Sequence, residues 1–189
     1  MYTSLFPRFK VVEINRSTAL TAGHVIAQYP ANAADVAHKE VSGYDDAGSA
    51  LTIKVLENGI IVGLNSEAEV VNYTADTCAQ PCLLMNDELP TSPLEGLDQY
   101  CEVFENDVTY PRVLPLYIGD SFTTNNYTGT EEGAVAAKVV NGVLTLQAAA
   151  DVDTLFVAKL ATLPAGQKAY HFVYVGKVVA ETADEETGA

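Results

Sequence analysis

Apolar residues recur along this chain in short runs, and several runs alternate strictly with polar residues. In Val143-Leu-Thr-Leu-Gln147 the two leucines alternate with Val, Thr and Gln, a period of two that gives a strand one buried and one wet face. Ala136–Val140 precedes it, with Asn141-Gly142 between. Asn-Gly between two β-rich runs predicts a hairpin, because a type I′ turn needs positive φ at both central residues. Leu51–Leu56, then Glu57-Asn58-Gly59, then Ile60–Leu64, predicts a second hairpin on the same grounds. Further strands are expected at Phe9–Ile14, His24–Tyr29, Glu69–Tyr73, Cys82–Met85, Arg112–Ile118, Leu155–Ala158 and Tyr170–Val175, each bounded by Gly, Pro, Asn or Asp. Pro111 and Pro115 cannot donate to a ladder, so the strand between Tyr110 and Ile118 is expected at a sheet edge or bend.

Helical periodicity is scarce. Ser92-Pro93-Leu94-Glu95 reads as a capping box, and Leu94, Leu97, Cys101 and Phe104 then fall on one face, which predicts a short helix. Tyr100–Phe104 reads equally as a strand. Asn32–Lys39 has the residues for another helical turn. The whole pattern implies a mainly β fold, a small antiparallel β-barrel or sandwich unit or units with at most one or two short helices. LPTSP near residue 90 breaks both periodicities. It suggests a β-rich region over 1–90 that begins with an arm at 1–10, a second β-rich region over 91–178, and a flexible acidic tail over 179–189.

The 189 residues suffice for one domain or two small β-units, and 48% hydrophobic against 19% charged residues argues for a packed core. Charge narrows the partners. Twenty-five acids against 10 bases give a net charge of −15, which repels phosphate backbones and anionic lipid and argues against nucleic-acid binding. The opening MYTSLFPRFK lacks a basic stretch followed by an apolar one, and no apolar run approaches the roughly 18 residues of a membrane span. Synthesis in a cytoplasm without membrane insertion is the expectation.

Candidate chemistry is sparse. The chain has no G-x-S-x-G elbow, phosphate-binding loop, dinucleotide fingerprint or H-E-x-x-H. His24, His38 and His171 show no ligand spacing, and the acidic pairs Asp45-Asp46, Asp87-Glu88, Glu131-Glu132 and Asp151/Asp153 lack the glycine and further ligands of a Ca²⁺ loop. They read as solvated turn carboxylates, so no metal, cofactor or enzymatic activity is expected. Cys78, Cys82 and Cys101 read as reduced structural thiols, although Cys78 and Cys82 are near enough in sequence to pair. Sequons at Asn15, Asn72 and Asn126 read as coincidences in a Thr- and Asn-rich chain.

Three segments carry a resemblance. Thr18-Ala-Leu-Thr-Ala-Gly-His-Val-Ile-Ala-Gln28 is similar to the small-residue turn and apolar strand of phage capsid decoration (cement) proteins built on a small β-barrel. Tyr110–Tyr127, with Gly119-Asp120-Ser121-Phe122-Thr123-Thr124-Asn125, and Leu155–Gly176, reading LFVAKLATLPAGQKAYHFVYVG, resemble segments of tailed-phage virion proteins. The resemblance implies a non-enzymatic virion structural protein on the capsid surface, whose partners are the major capsid protein or copies of itself in a homo-oligomer. A head-fibre, neck or tail component and a carbohydrate- or cell-surface-binding β-module are the alternatives. Candidate contact residues are Tyr2, Leu5, Phe6 and Phe9 of the arm, which reads equally as an ordinary first strand, and Phe122 and Tyr127 of the polar segment Ser121–Thr130.

Overall fold

The computed structural model describes residues 10–44, 48–85, 101–163 and 166–176. In chain order the elements are β1 (Val12–Arg16), α1 (Thr18–Ala22), β2 (Ala31–Asn32), β3 (Lys39–Tyr44), β4 (Ala50–Glu57), β5 (Ile61–Leu64), β6 (Val70–Asn72), β7 (Cys82–Leu84), β8 (Cys101–Val103), β9 (Val108–Thr109), β10 (Val113–Pro115), β11 (Ser121–Thr124), β12 (Tyr127–Gly129), β13 (Ala136–Val140), β14 (Val143–Gln147), β15 (Thr154–Thr162) and β16 (Lys168–Tyr174). The fold is mainly β, with one short helix among the described residues.

Three sheets form. A seven-stranded sheet runs β1-β11-β16-β15-β13-β14-β12, a six-stranded sheet β10-β7-β5-β6-β2-β9, and a three-stranded sheet β3-β4-β8. The six-stranded sheet is the middle layer. Its Ile61, Leu83 and Leu114 point into a core with Phe122, Phe156, Phe172 and Leu144 of the seven-stranded sheet. Their neighbours Val62, Cys82, Leu84 and Val113 point the other way, into a second core with Leu56 of β4, Phe104 and the turn at Ala33 and Val36. Burial on both faces explains why β7 and β10 are apolar at every position instead of alternating.

The Asn141-Gly142 hairpin forms as the sequence predicts. Asn141 (φ 48°) and Gly142 (φ 77°) are both left-handed, Val140 pairs with Val143, and Leu144 and Leu146 are buried between half-buried neighbours. The Asn58-Gly59 hairpin does not form. Only Gly59 has positive φ (85°), and β4 and β5 belong to different sheets. Here Asn-Gly is a buried crossing point. The Asn58 carbonyl accepts from Asn126 Nδ2 at 2.7 Å, and the Gly59 N–H donates to Leu84 at 3.0 Å.

Several other expectations change. The helix proposed from Ser92 lies mostly outside the described residues, and its end, Cys101–Val103, is a strand paired with Val55–Glu57. At Asn32–Lys39 the chain makes a turn, closed by Asp35 N–H to Asn32 C=O at 3.0 Å, before Lys39 opens β3. The helix that does form is α1, where a turn had been expected. Ser17 Oγ caps it by accepting from Leu20 N–H at 3.1 Å, and Gly23 (φ 73°) ends it. The strand expected at His24–Tyr29 is reduced to an isolated bridge between Ile26 and Val113. β10 is an edge strand, in keeping with Pro115 at its end and Pro111 just before it. Strands from both sides of residue 90 share sheets, β1 with β11, β7 with β10, β2 with β9 and β4 with β8, so the break in periodicity there is not a division of the sheets.

Candidate contact surface

Of the contact residues expected from sequence, Tyr2, Leu5, Phe6 and Phe9 lie outside the described residues. Phe122 does not face a partner. It is 1% exposed, and its ring lies 5.9 Å from Phe156 and 5.8 Å from Phe172. The reason is periodicity: Ser121–Thr124 is a four-residue strand inside the seven-stranded sheet, so Phe122 and Thr124 turn inward. Ser121–Thr130 is therefore not a projecting loop.

Tyr127 is half buried and latched. Its hydroxyl donates to Glu131 Oε1 at 2.8 Å, and its ring packs edge-on to Tyr170 at 5.1 Å. Lys168 Nζ bonds the other Glu131 oxygen, and the Tyr170 hydroxyl donates to the Glu131 carbonyl at 2.9 Å. The Lys168 ammonium, and then the Tyr127 hydroxyl, hold the Glu131 carboxyl below its ordinary value. Burial, and then Glu131, push the Tyr127 phenol well above its own.

An exposed apolar site lies just before, at the most exposed of the large apolar side chains among the described residues. Ile118 is 75% exposed and Tyr117 38%. They occupy a turn closed by Asp120 N–H to Tyr117 C=O at 2.8 Å, with Gly119 at φ 92°. Asp120 is fully buried, and its Oδ2 accepts from Tyr117 N–H at 3.0 Å. Its Oδ1 accepts from Thr18, so the same carboxylate fastens the start of α1, the helix that carries exposed Leu20. Gly119 N–H to Tyr174 C=O (2.8 Å) and Tyr174 N–H to Asp120 C=O (2.9 Å) anchor the turn to β16. Ile118 itself lies against Gly176, where an added Cβ would stand 3.2 Å from its Cδ1. The result is an apolar tip on a rigid mount. Sequence reasoning missed it, although an Ile directly before Gly119-Asp120 is the signal that marks an apolar residue placed in a turn.

The polar groups elsewhere serve as fasteners. Asp151 accepts from Gln147 Nε2 at 2.5 Å, Lys138 Nζ at 3.2 Å and Asp153 N–H at 2.9 Å, which makes it a turn cap. Asn126 is buried with its amide spent on Asn58, Asn72 Oδ1 accepts from Ala37 N–H at 2.8 Å, and Asn15 Oδ1 accepts from Thr123 Oγ1 at 2.9 Å, so all three sequon asparagines have structural work. Cys78 and Cys82 are buried free thiols, and burial, with Cys78 second, raises Cys82 to about 12. Among the described residues no three His, Cys, Asp or Glu side chains stand close enough to hold a metal, and no helix is long and apolar enough to cross a membrane.

No family model, curated protein or solved structure matches this chain. The family resemblance accordingly rests on the quoted segments alone.

Proposed function

We propose that this chain is a non-enzymatic virion structural protein that binds the outside of a tailed-phage capsid and decorates or stabilises it. The observation that carries the reading is the Tyr117–Ile118 tip, an exposed apolar side chain on a turn immobilised by a buried carboxylate. A turn whose backbone is fixed before contact loses little entropy on docking, which suits a protein whose work is to bind another surface. The engagement of Glu131, Asp151 and Asp120 in internal bonds further supports a structural role over a catalytic one. The partner of this tip is the major capsid protein, and the site of action is the capsid surface. Tyr127 and Asn126, the groups a carbohydrate module would use, are held inward, which disfavours that alternative.

Co-sedimentation with empty shells of a tailed-phage major capsid protein tests the reading. The full chain is expected to pellet with the shells, and Ile118→Asp to stay in the supernatant at an unchanged melting temperature. If the unaltered chain does not pellet, the function is wrong; if Ile118→Asp pellets equally, the surface is wrong.

A further inference from the structure

Four neighbouring strands carry one row of side chains across the outer face of the seven-stranded sheet: Glu13, Thr123, His171 and Lys159. Each is paired in register with the next. The middle of the row is tied laterally. A bulge in β1 brings Asn15 over its neighbours, so that Thr123 Oγ1 donates to Asn15 Oδ1 at 2.9 Å and His171 Nδ1 lies 3.0 Å from the same oxygen. Thr123 is left only 5% exposed although it points outward. The two ends of the row are exposed, oppositely charged, and in no ion pair among the described residues. The adjacent row, Arg16, Ser121, Val173 and Val157, includes a Val157 that is 49% exposed.

We propose that this face packs against the same face of a second copy, about a two-fold axis that lies in the interface and runs along the strands. Glu13 of each copy then sits over Lys159 of the other, and the stem of Arg16 covers Val157. An axis across the strands would instead set Glu13 on Glu13 and Lys159 on Lys159. Charge favours self-association here. The chain carries −15 overall, whereas the Glu13–Lys159 row sums to zero and Arg16 beside it is positive, so two copies meet here with little repulsion. Only β1, β11, β16 and β15 of the two copies overlap about this axis, and four strands about 4.8 Å apart and about 17 Å long offer about 300 Å² per copy, the size of a weak, transient contact. The assembly is accordingly a concentration-dependent dimer.

Sedimentation equilibrium of the full chain at physiological salt tests this. Glu13→Lys and Lys159→Glu should each weaken association about tenfold or more while leaving the melting temperature unchanged, because both side chains are exposed. The double reversal should restore it. A chain that stays monomeric at every concentration overturns the proposal. So do single reversals without effect, or a double reversal no tighter than either single. The capsid reading stands apart, since a monomer that still pellets with shells sinks only the dimer.

Discussion

Asp120 accepts two hydrogen bonds from Thr18, from its N–H at 2.9 Å and its hydroxyl at 2.7 Å, across 102 residues of chain. A buried carboxylate is costly unless its oxygens are paired, and here three donors satisfy it. One side chain thereby locks α1, the Tyr117–Ile118 turn and the start of β11 together. Asp120→Ala strands those donors and is expected to cost about 3 kcal/mol, a fall of roughly 6–12 °C in melting temperature. Asp120→Asn keeps an accepting oxygen and should cost less. Calorimetry on the two variants decides, and equal losses would show that hydrogen bonding is not what the residue supplies.

Gly59 and Gly133 separate backbone strain from crowding. Both have positive φ (85° and 69°), but an added Cβ at Gly59 would lie 2.7 Å from Thr124 Oγ1 and 3.0 Å from Asn126 Cβ, whereas at Gly133 it meets nothing. Gly133→Ala should therefore cost only the left-handed penalty, about 1 kcal/mol, and Gly59→Ala about 2–4 kcal/mol. Urea unfolding of both variants measures the gap. A gap near zero would mean that the crossing point between sheets relaxes freely.

The Tyr127–Glu131 latch predicts a loss of stability in alkali. Burial first, and Glu131 second, raise the Tyr127 phenol above its ordinary 10.0 in the folded chain. The unfolded chain thus releases this proton first. The contribution is intact below about pH 10 and is lost as pH rises towards the folded value. Glu131 runs the opposite way: held low chiefly by Lys168, its contribution is present above the ordinary 4.5 and is lost as pH falls. Tyr127→Phe should flatten the decline of melting temperature between about pH 9 and pH 11. Burial also raises Tyr73 and Tyr174, so part of the decline should persist. An unchanged slope would count against the latch.

Cys82 should resist thiol reagents while the chain is folded. Only the thiolate reacts, and burial raises this thiol to about 12. Cys78 is shielded as well, 4% exposed and packed so tightly on Gly63 that a Cβ there would stand 2.7 Å from its Sγ. In a Cys101→Ser background, a colorimetric thiol assay is expected to count both only after denaturant is added. Rapid labelling of either in the native protein would show that this edge of the middle sheet opens.

Local chemistry was readable wherever it acts alone. Asn141-Gly142 needs only its own backbone preference to make a hairpin, and the prolines at 111 and 115 need only their missing donors to mark an edge. What sequence concealed is partnership. Asn58-Gly59 repeats the same dipeptide, yet Asn126, Leu84 and Thr124, all distant in the chain, turn it into a passage between sheets. Phe122 sits among threonines and asparagines and so reads as a displayed ring, until β1 and β16 flank its strand and turn it inward. Ile118 is an exposed apolar tip held by the buried Asp120, but the rigidity of its mount depends on Thr18 and Tyr174, which no local pattern links to it.

The pairing of early strands with late ones in all three sheets bears on how the chain comes to be. Strands β1, β2, β4 and β7 take neighbours from beyond residue 100, so the first half emerges from the ribosome well before those neighbours exist. Its apolar faces then wait for the second half, and loop closure over such separations is slow. A nascent chain released early would be an adhesive fragment rather than a smaller working version of the protein.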